Sequence, residues 1–526
     1  MSDEVDAVII GSGINGLVAA AELGKAGWSV ALVERNDTLG GFIATEERTL
    51  PGYRHDTYSS WHPLFVSGPA YAALGDDLHR FGLEYRNTDD CVTASVAGDG
   101  HVTLAHRDPE RTAALFAHDR DRETYLAALG AFARIAEPFG ALLGSELWSP
   151  RLVRRALRLA RAAGRPGLAR LSRDAVTSGR AYCRRDFVGD EVDHLWTPWL
   201  LHAGLSPDHA SGGMMIPVLA ATMHGFGLPV VAGGSARLVD AFGKMFAELG
   251  VDVRTGAEVE RVLVYRERAT GVVAGGRTIR ARRAVLASCT PTALVRDLLP
   301  TGSVPARFED EAARYRYGRG AAQIHVALSE PPAWREPDLG RVPLIHLSDG
   351  AASTGIACAQ AEAGMLPATP TVVVGQQHVL DSTRVPEGAA ALWLQLQEVP
   401  FAPTGDAAGE LDTGDGWTRE LAGSYARRVL DRVASHAPGL GDRVRAIDVI
   451  TPVDLAAHNV NAVHGDPYGG SAELDQNFFW RPTPACGSHA TPVRGLWHIG
   501  SSTHPGPGLA GASGHLVAQR LITRRR

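Results

Sequence analysis

Residues 7–34 read AVIIGSGINGLVAAAELGKAGWSVALVE. Ala7, Val8, Ile9 and Ile10 form a short apolar strand, Gly11-Ser12-Gly13-Ile14-Asn15-Gly16 follows without a gap, and the Ala-rich periodic segment 17–26 predicts a helix. A second apolar run, 30–33, ends on Glu34. Strand, GxGxxG, helix, strand and acid in this order suit a bound dinucleotide. Gly11 permits the tight turn, Gly13 lets backbone approach a pyrophosphate, and Gly16 lets helix and strand pack closely. The helix N-terminus offers free N–H groups to the phosphates. Glu34 is placed to accept from ribose hydroxyls and disfavours the 2′-phosphate of NADP, which leaves NAD or FAD.

A chain of 526 residues predicts two or three subdomains around separate cores. With 45% hydrophobic and 21% charged residues it reads as an ordinary globular protein, and a net charge of -6 gives no case for nucleic acid. Cys91, Cys183, Cys289, Cys358 and Cys486 are widely spaced and form no CxxC, so neither a disulfide framework nor a thiol redox centre is expected. No metal site is read. A reducing cytoplasm is the expected setting. Acidic residues precede a short strand at the N-terminus, which is not a secretory pattern, and no apolar run approaches ~20 residues, so no membrane-crossing helix is expected. Lys25 and Lys244 are the only lysines, a bias toward arginine that fits a GC-rich bacterial genome.

Beyond Glu34 the segment 35–41, RNDTLGG, adds Arg35 and a second glycine pair, Gly40 and Gly41. Segments 92–96 and 101–105 are strand-like, and 109–226 is mostly helical. PVVAGGS then opens a helix over 236–249, followed by strands at 251–253, 258–264 and 284–287. Residues 315–400 alternate and predict a separate sheet with strands at 322–328, 372–376 and 392–397. Leu392, Leu394 and Leu396 share one face of the last, and Trp393, Gln395 and Gln397 the other. Gln323, His325, Gln376, Trp393, Gln395 and Gln397 are read either as a solvated face or as the polar wall of a substrate cavity. Arg151, Arg154, Arg155, Arg158 and Arg161 fall at helical spacing, with Leu152, Val153, Ala156 and Leu157 opposite. This is a basic amphipathic helix, either packed on the core or lying on an anionic membrane at the inner face.

GSGINGLVAA, ERNDTLGG, PVVAGGSARL and the terminal WHIGSSTHPGPGLAGASG together resemble the phytoene desaturase (carotenoid desaturase) family of FAD-dependent oxidoreductases, within the amine oxidase and glutathione reductase-like superfamily. FGLPVVAGGS, YRYGRGAAQIHVAL, NVNAVHGDPYGG and FFWRP are similar to the branch named for pyridine nucleotide-disulphide oxidoreductase domain-containing protein 2. The resemblance implies an α/β fold: a glutathione-reductase-like Rossmann domain for FAD, an inserted α+β substrate domain and a helical cap. The implied segments are 1–90, 229–300 and 481–526 for FAD, 91–228 for the cap and 301–480 for the substrate sheet. It assigns Gly11, Ser12, Gly13, Asn15 and Gly16 to the pyrophosphate loop, Glu34 and Arg35 to the ribose side, Gly40 and Gly41 to the second glycine pair, and Val259 to the adenine side. Gly500, Ser501, Gly508, Leu509, Ala510 and Gly511 fall to the ribityl and ring side. Many relatives have an aspartate where Ser501 stands.

The expected chemistry is dehydrogenation of an apolar or amphiphilic small molecule by hydride transfer to flavin N5, with oxygen or a quinone as final acceptor. His504 is the first candidate for a general base, ahead of His55, Asp56 and His224. An amine oxidase acting on a C–N bond is the second reading, lowered by the positions of the two lysines. A silent FAD-binding scaffold is the third. Substrate identity and oligomeric state stay open.

Overall fold

A computed structural model describes residues 4–523, and in it the chain passes through one domain three times. The first pass is β1 (Glu4–Ile10), α1 (Ile14–Lys25) and β2 (Val30–Val33). The chain then leaves through the hairpin β3 (Cys91–Val96) and β4 (Val102–His106) and the helices α2 (Asp119–Leu143), α3 (Pro150–Val176) and α4 (Gly212–Phe226). It returns as α5 (Ala236–Leu249), β5 (Asp252–Arg254), β6 (Val259–Tyr265), β7 (Arg268–Ala274) and β8 (Arg277–Ser288). A second excursion builds β9 (Gly320–Leu328), β10 (Leu344–Leu347), β11 (Val372–Gly375), β12 (Ala390–Val399), α6 (Arg419–His436) and β13 (Val444–Ile450). β14 (Leu496–Ile499) and α7 (Ala512–Thr523) complete the first domain.

The first sheet runs β6-β7-β8-β1-β2-β5, with β14 also on β8. β8 explains how one strand serves two neighbours. Its first half, Arg277–Arg280, pairs antiparallel with β7, and its second half, Val285–Ser288, pairs parallel with β14. The sequence changes with the role: RTIRAR alternates between exposed and buried positions, while AVLA is buried on both faces, as a central parallel strand must be. α1, α5 and α7 cover one face of this sheet through Leu17, Leu23, Phe242, Phe246 and Val517.

The second sheet runs β13-β9-β12-β11-β10-β3-β4. The hairpin of residues 91–106, grouped with the cap on sequence, therefore extends the substrate sheet, because β3 pairs parallel with β10. Ile324, Leu392, Leu394, Leu396, Val372 and Val374 pack one face against α6. The opposite face, with Gln323, His325, Trp393 and Gln395, turns toward the first domain and the cap.

The basic helix is only partly as read. Gly164, at φ 65°, breaks α3 into two helices, and Val153 and Leu157 are 62% and 50% exposed rather than packed on the core. The side chain of Arg151 lies outside the described part. Arg155 turns inward and donates to the carbonyl of Ala141 at the end of α2. By length and composition α2 is apolar enough to cross a bilayer, contrary to the sequence expectation, yet it packs on α3 and α4 through Ile135 and Phe139.

Candidate active site

The loop after β1 is built for close approach. A Cβ on Gly16 would stand 2.0 Å from the carbonyl oxygen of Gly11, so only glycine lets α1 lie this near the strand. At Gly13 the same construction meets nothing within 4 Å, so space opens at the helix start. α1 has neither a capping side chain nor an acid in its first turn, and its positive end faces that space unopposed.

Glu34, at the end of β2, is buried. Its Oε2 accepts from the N–H and hydroxyl of Ser12 at 2.9 and 2.7 Å, and its Oε1 from the N–H of Asn36 at 2.9 Å. Ser12 Oγ also accepts from the N–H of Gly40 at 3.1 Å, which folds the second glycine pair back over the loop. A Cβ on Gly41 would come within 3.3 Å of the Gly13 Cα. Arg35 is exposed beside this cradle. Val259 opens β6 two residues beyond Ala257, whose N–H donates to the carbonyl of Glu34 at 2.9 Å. The residue expected on the adenine side is thus brought next to the acid expected at the ribose.

The C-terminal segment closes the same cradle from the other side. The N–H of Gly500 is held by Ser513 Oγ at 2.8 Å, and that of Gly514 by Asn15 Oδ1 at 3.2 Å. The N-termini of α1 and α7 therefore converge. A Cβ on Gly511 would collide with Val18, and one on Gly508 with Leu64, while Leu509 packs on the same core and the Ala510 carbonyl faces Gly68. Ser501 is oriented through its carbonyl, which accepts from Arg481 Nε and Nη2 at 3.1 and 2.7 Å. Arg481 is buried and also donates to the carbonyls of Ser471 and Tyr468. Its part was missed on sequence, although FFWRP was singled out. This open cradle, two converging helix N-termini and a buried carboxylate fit the diphosphate and ribose of FAD.

The catalytic candidates separate. His504 Nε2 donates to the Leu143 carbonyl at 2.6 Å, leaving Nδ1 buried without a partner, and burial pushes its pKa down to about 4. It is a neutral imidazole with an open acceptor. His55 Nε2 meets Thr49 Oγ1 at 2.8 Å and its ring lies 4.9 Å from that of His325; burial lowers it to about 4 as well.

Asp56 is a structural acid. Ser235 N–H and Thr45 Oγ1 occupy Oδ1 at 2.7 and 2.9 Å, and Arg384 and Ser60 occupy Oδ2 at 2.7 and 2.5 Å. Burial alone would raise its pKa, but Arg384 and these donors hold it below the usual range, so no lone pair is left for a substrate proton. His224 is also removed from the candidates. Nδ1 bonds the His106 carbonyl at 2.7 Å and Nε2 the Tyr125 hydroxyl at 2.6 Å, inside the cap.

Of the polar sheet positions, Gln376 is on the wrong face. It follows Val372 and Val374 in parity, and its amide bonds Trp334 Nε1 and the carbonyls of Leu339 and Val342 on the α6 side. Gln323, His325, Trp393, Gln395 and Gln397 do share the other face. Trp393 Nε1 donates to the Asp56 carbonyl at 2.9 Å, and His325 Nε2 to that of Thr57 at 3.1 Å, so residues 56–57 are pinned between the two domains. Phe42, Tyr58 and His458 stack at this joint, with Tyr58 and His458 4.5 Å apart.

Residues 14–425 match the family model described as flavin containing amine oxidoreductase. The chain belongs to that family. Its cofactor is FAD, and it is an FAD-dependent oxidoreductase. Over 98% of its length this flavoprotein is 27% identical to pyridine nucleotide-disulfide oxidoreductase domain-containing protein 2 of Rattus norvegicus, covering 93% of that protein. It is 24% identical, at the same coverages, to the neurosporene-forming phytoene desaturase of Rhodobacter capsulatus. The resemblance to the desaturase family is borne out. In fold it matches an oxidoreductase from Methanosarcina mazei with a TM-score of 0.63 at 16% identity, over 98% of this chain and 99% of that one.

Proposed function

We propose that this flavoprotein dehydrogenates an apolar or amphiphilic small molecule, introducing a C=C bond. The observation that carries this reading is the face shared by Gln323, Gln395 and Gln397: a row of neutral amides with no lysine among them. Lys25 is paired with Asp77 on α1 and Lys244 donates to the Phe81 carbonyl, so the amine oxidase reading lacks the lysine that such enzymes commonly hold near the flavin. The phytoene desaturase named above supports C–C rather than C–N chemistry.

Bound FAD supplies the hydride acceptor, with oxygen or a quinone taking the electrons afterwards. The protein's own part is to seat the carbon chain between α4 and β12, exclude water, and accept the departing proton. His504 is a neutral imidazole whose buried Nδ1 has no hydrogen-bond partner, the state a proton acceptor needs. The purified protein should show a flavin band near 450 nm that bleaches anaerobically with substrate and returns with air. A colourless protein that added FAD does not reconstitute would sink the reading.

The same reading includes peripheral contact with an anionic membrane. The apolar stretch of α2 is largely left unburied by the rest of the chain. Beside it Val153, Leu157 and Trp148 are exposed among Arg154, Arg158 and Arg161. The α2–α3 corner also holds His504, so a lipid-borne substrate has a short path to the site. Wild-type protein should float with phosphatidylglycerol vesicles and the Val153→Asp/Leu157→Asp variant should not; a wild type left at the bottom of the gradient refutes the contact.

A further inference from the structure

The face of the second sheet that looks toward the cap carries a polar row that no motif announces. Register places Gln323 beside Gln395, Gln395 beside Val373, and Val373 beside His346. The row crosses three strand spacings, about 14 Å. Gln395 stays half-buried although it sits on an interior strand, whereas Leu394 and Leu396 on the reverse face are fully buried. Open space therefore lies over Gln395, while Val373 beside it is covered.

The turn Pro198–Ala203 covers the far end. His202 Nε2 and His346 Nε2 are 3.0 Å apart, and the Trp199 ring lies tilted 4.5 Å from His202 and edge-on 5.1 Å from His346. A hydrogen bond between two imidazoles needs one donor and one acceptor, so the pair is not doubly protonated. Burial pushes His202 down to about 3 and His346 well below its ordinary value, which keeps both neutral. Neither histidine was singled out on sequence, where 144 residues separate them.

Several groups here are buried with no partner: Gln323 Nε2, His346 Nδ1, Trp199 Nε1 and the amide oxygen of Gln397. Buried polar groups are normally satisfied, and exceptions strung along one face mark a surface where something else binds. Trp199 Nε1 and Gln323 Nε2 only donate and the Gln397 amide oxygen only accepts, so what meets them must offer an acceptor to the first two and a donor to the third. The row contains no Lys, Arg, Asp or Glu, which matches neither a carboxylate nor an ammonium. Met215 and Leu219 of α4 and Trp61 add apolar surface to the same cluster.

We propose that the row from Gln323 through Gln395 to the His202–His346 pair is a subsite for a neutral oxygen-bearing head group, a carbonyl or hydroxyl, on an otherwise apolar substrate. This rests on the proposed reading of an amphiphilic substrate and narrows it: a pure hydrocarbon would leave the donors unmet. A site built to hydrogen-bond an oxygen discriminates strongly against the analogue that lacks it.

Equilibrium dialysis of the FAD-loaded protein with 2-dodecanone, 2-dodecanol and dodecane, each delivered in the same detergent and measured by gas chromatography, tests the subsite without turnover. Wild type is expected to hold the ketone and the alcohol at least tenfold more tightly than the alkane. Gln323→Leu and Gln395→Leu should each cut that preference below threefold while keeping full FAD content. Gln376→Leu, on the reverse face, should leave it unchanged. Equal retention of the three probes, no retention of the ketone, or an unaltered preference in both Gln323→Leu and Gln395→Leu overturns the proposal and means that water alone meets these groups. Ketone preference without flavin bleaching would sink the dehydrogenase reading and leave the subsite; bleaching without preference would do the reverse.

Discussion

Gly514→Ala is expected to give a colourless protein. A Cβ at this position would stand 2.0 Å from the carbonyl oxygen of Asn15 and 3.0 Å from its Cα. Both are backbone atoms of the first turn of α1, so no side chain can swing aside. α7 must move off α1, which breaks the bond from Gly514 N–H to Asn15 Oδ1 and parts the two positive helix ends that face the diphosphate. Overpacking of ordinary side chains costs about 1–3 kcal/mol, and a backbone collision has less room to relax. The ratio of absorbance at 450 and 280 nm after desalting should fall at least tenfold. Gly243→Ala on α5, where a Cβ meets nothing within 4 Å, should leave it unchanged. A fully yellow Gly514→Ala protein would refute the convergence of the two helix ends as the diphosphate site.

Arg384→Met should cost about 3–5 kcal/mol of stability, because it strands a buried carboxylate. Arg384 and Asp56 are 2% and 0% exposed in their side chains and bond at 2.7 Å. Arg384 also donates to the Val231 carbonyl and to Asp381, so it ties residues 230–231 to residues 54–60 and 381–384. Adding Asp56→Asn should recover part of the loss, and urea titration of the four proteins gives the coupling. A loss under about 1 kcal/mol would show that the pair is not what holds this joint. The pH dependence has a fixed sign. Asp56 is held below its unfolded value, so its contribution is complete above the ordinary carboxylate range near 4 and disappears as pH falls through the lower folded value.

The nucleotide half of this site was legible because it is local. Residues 7–34 contain the strand, the turn, the helix and the acid, and each is fixed by neighbours within one βαβ unit. The GSS and GLAG turns were legible for the opposite reason, since glycines crowded before a C-terminal helix have few other uses. Asp56 and His224 were misjudged because their roles depend on distant partners. Ser235 and Arg384 lie 179 and 328 residues from Asp56, and Tyr125 lies 99 residues from His224. Nothing near either residue in the chain reveals that its polar atoms are already spent. Gln376 was a plain error of parity: strand alternation from Val372 puts it on the apolar side. The His202–His346 pair was invisible because it joins a cap turn to a sheet strand, and neither sits in a recognisable pattern.

The meeting of Asn15 with Gly514 also sets a timetable. The glycine loop and the start of α1 are made early, but Gly514, which closes on Asn15, follows it by 499 residues. At ordinary rates of synthesis that interval is roughly 25–100 s. Through all of it the diphosphate seat is half-assembled and the glycine loop is left to water or to the chaperones that attend a growing chain. Full seating of the cofactor therefore waits for α7, and a cell short of FAD would accumulate molecules in which α1 and α7 meet with nothing to clasp.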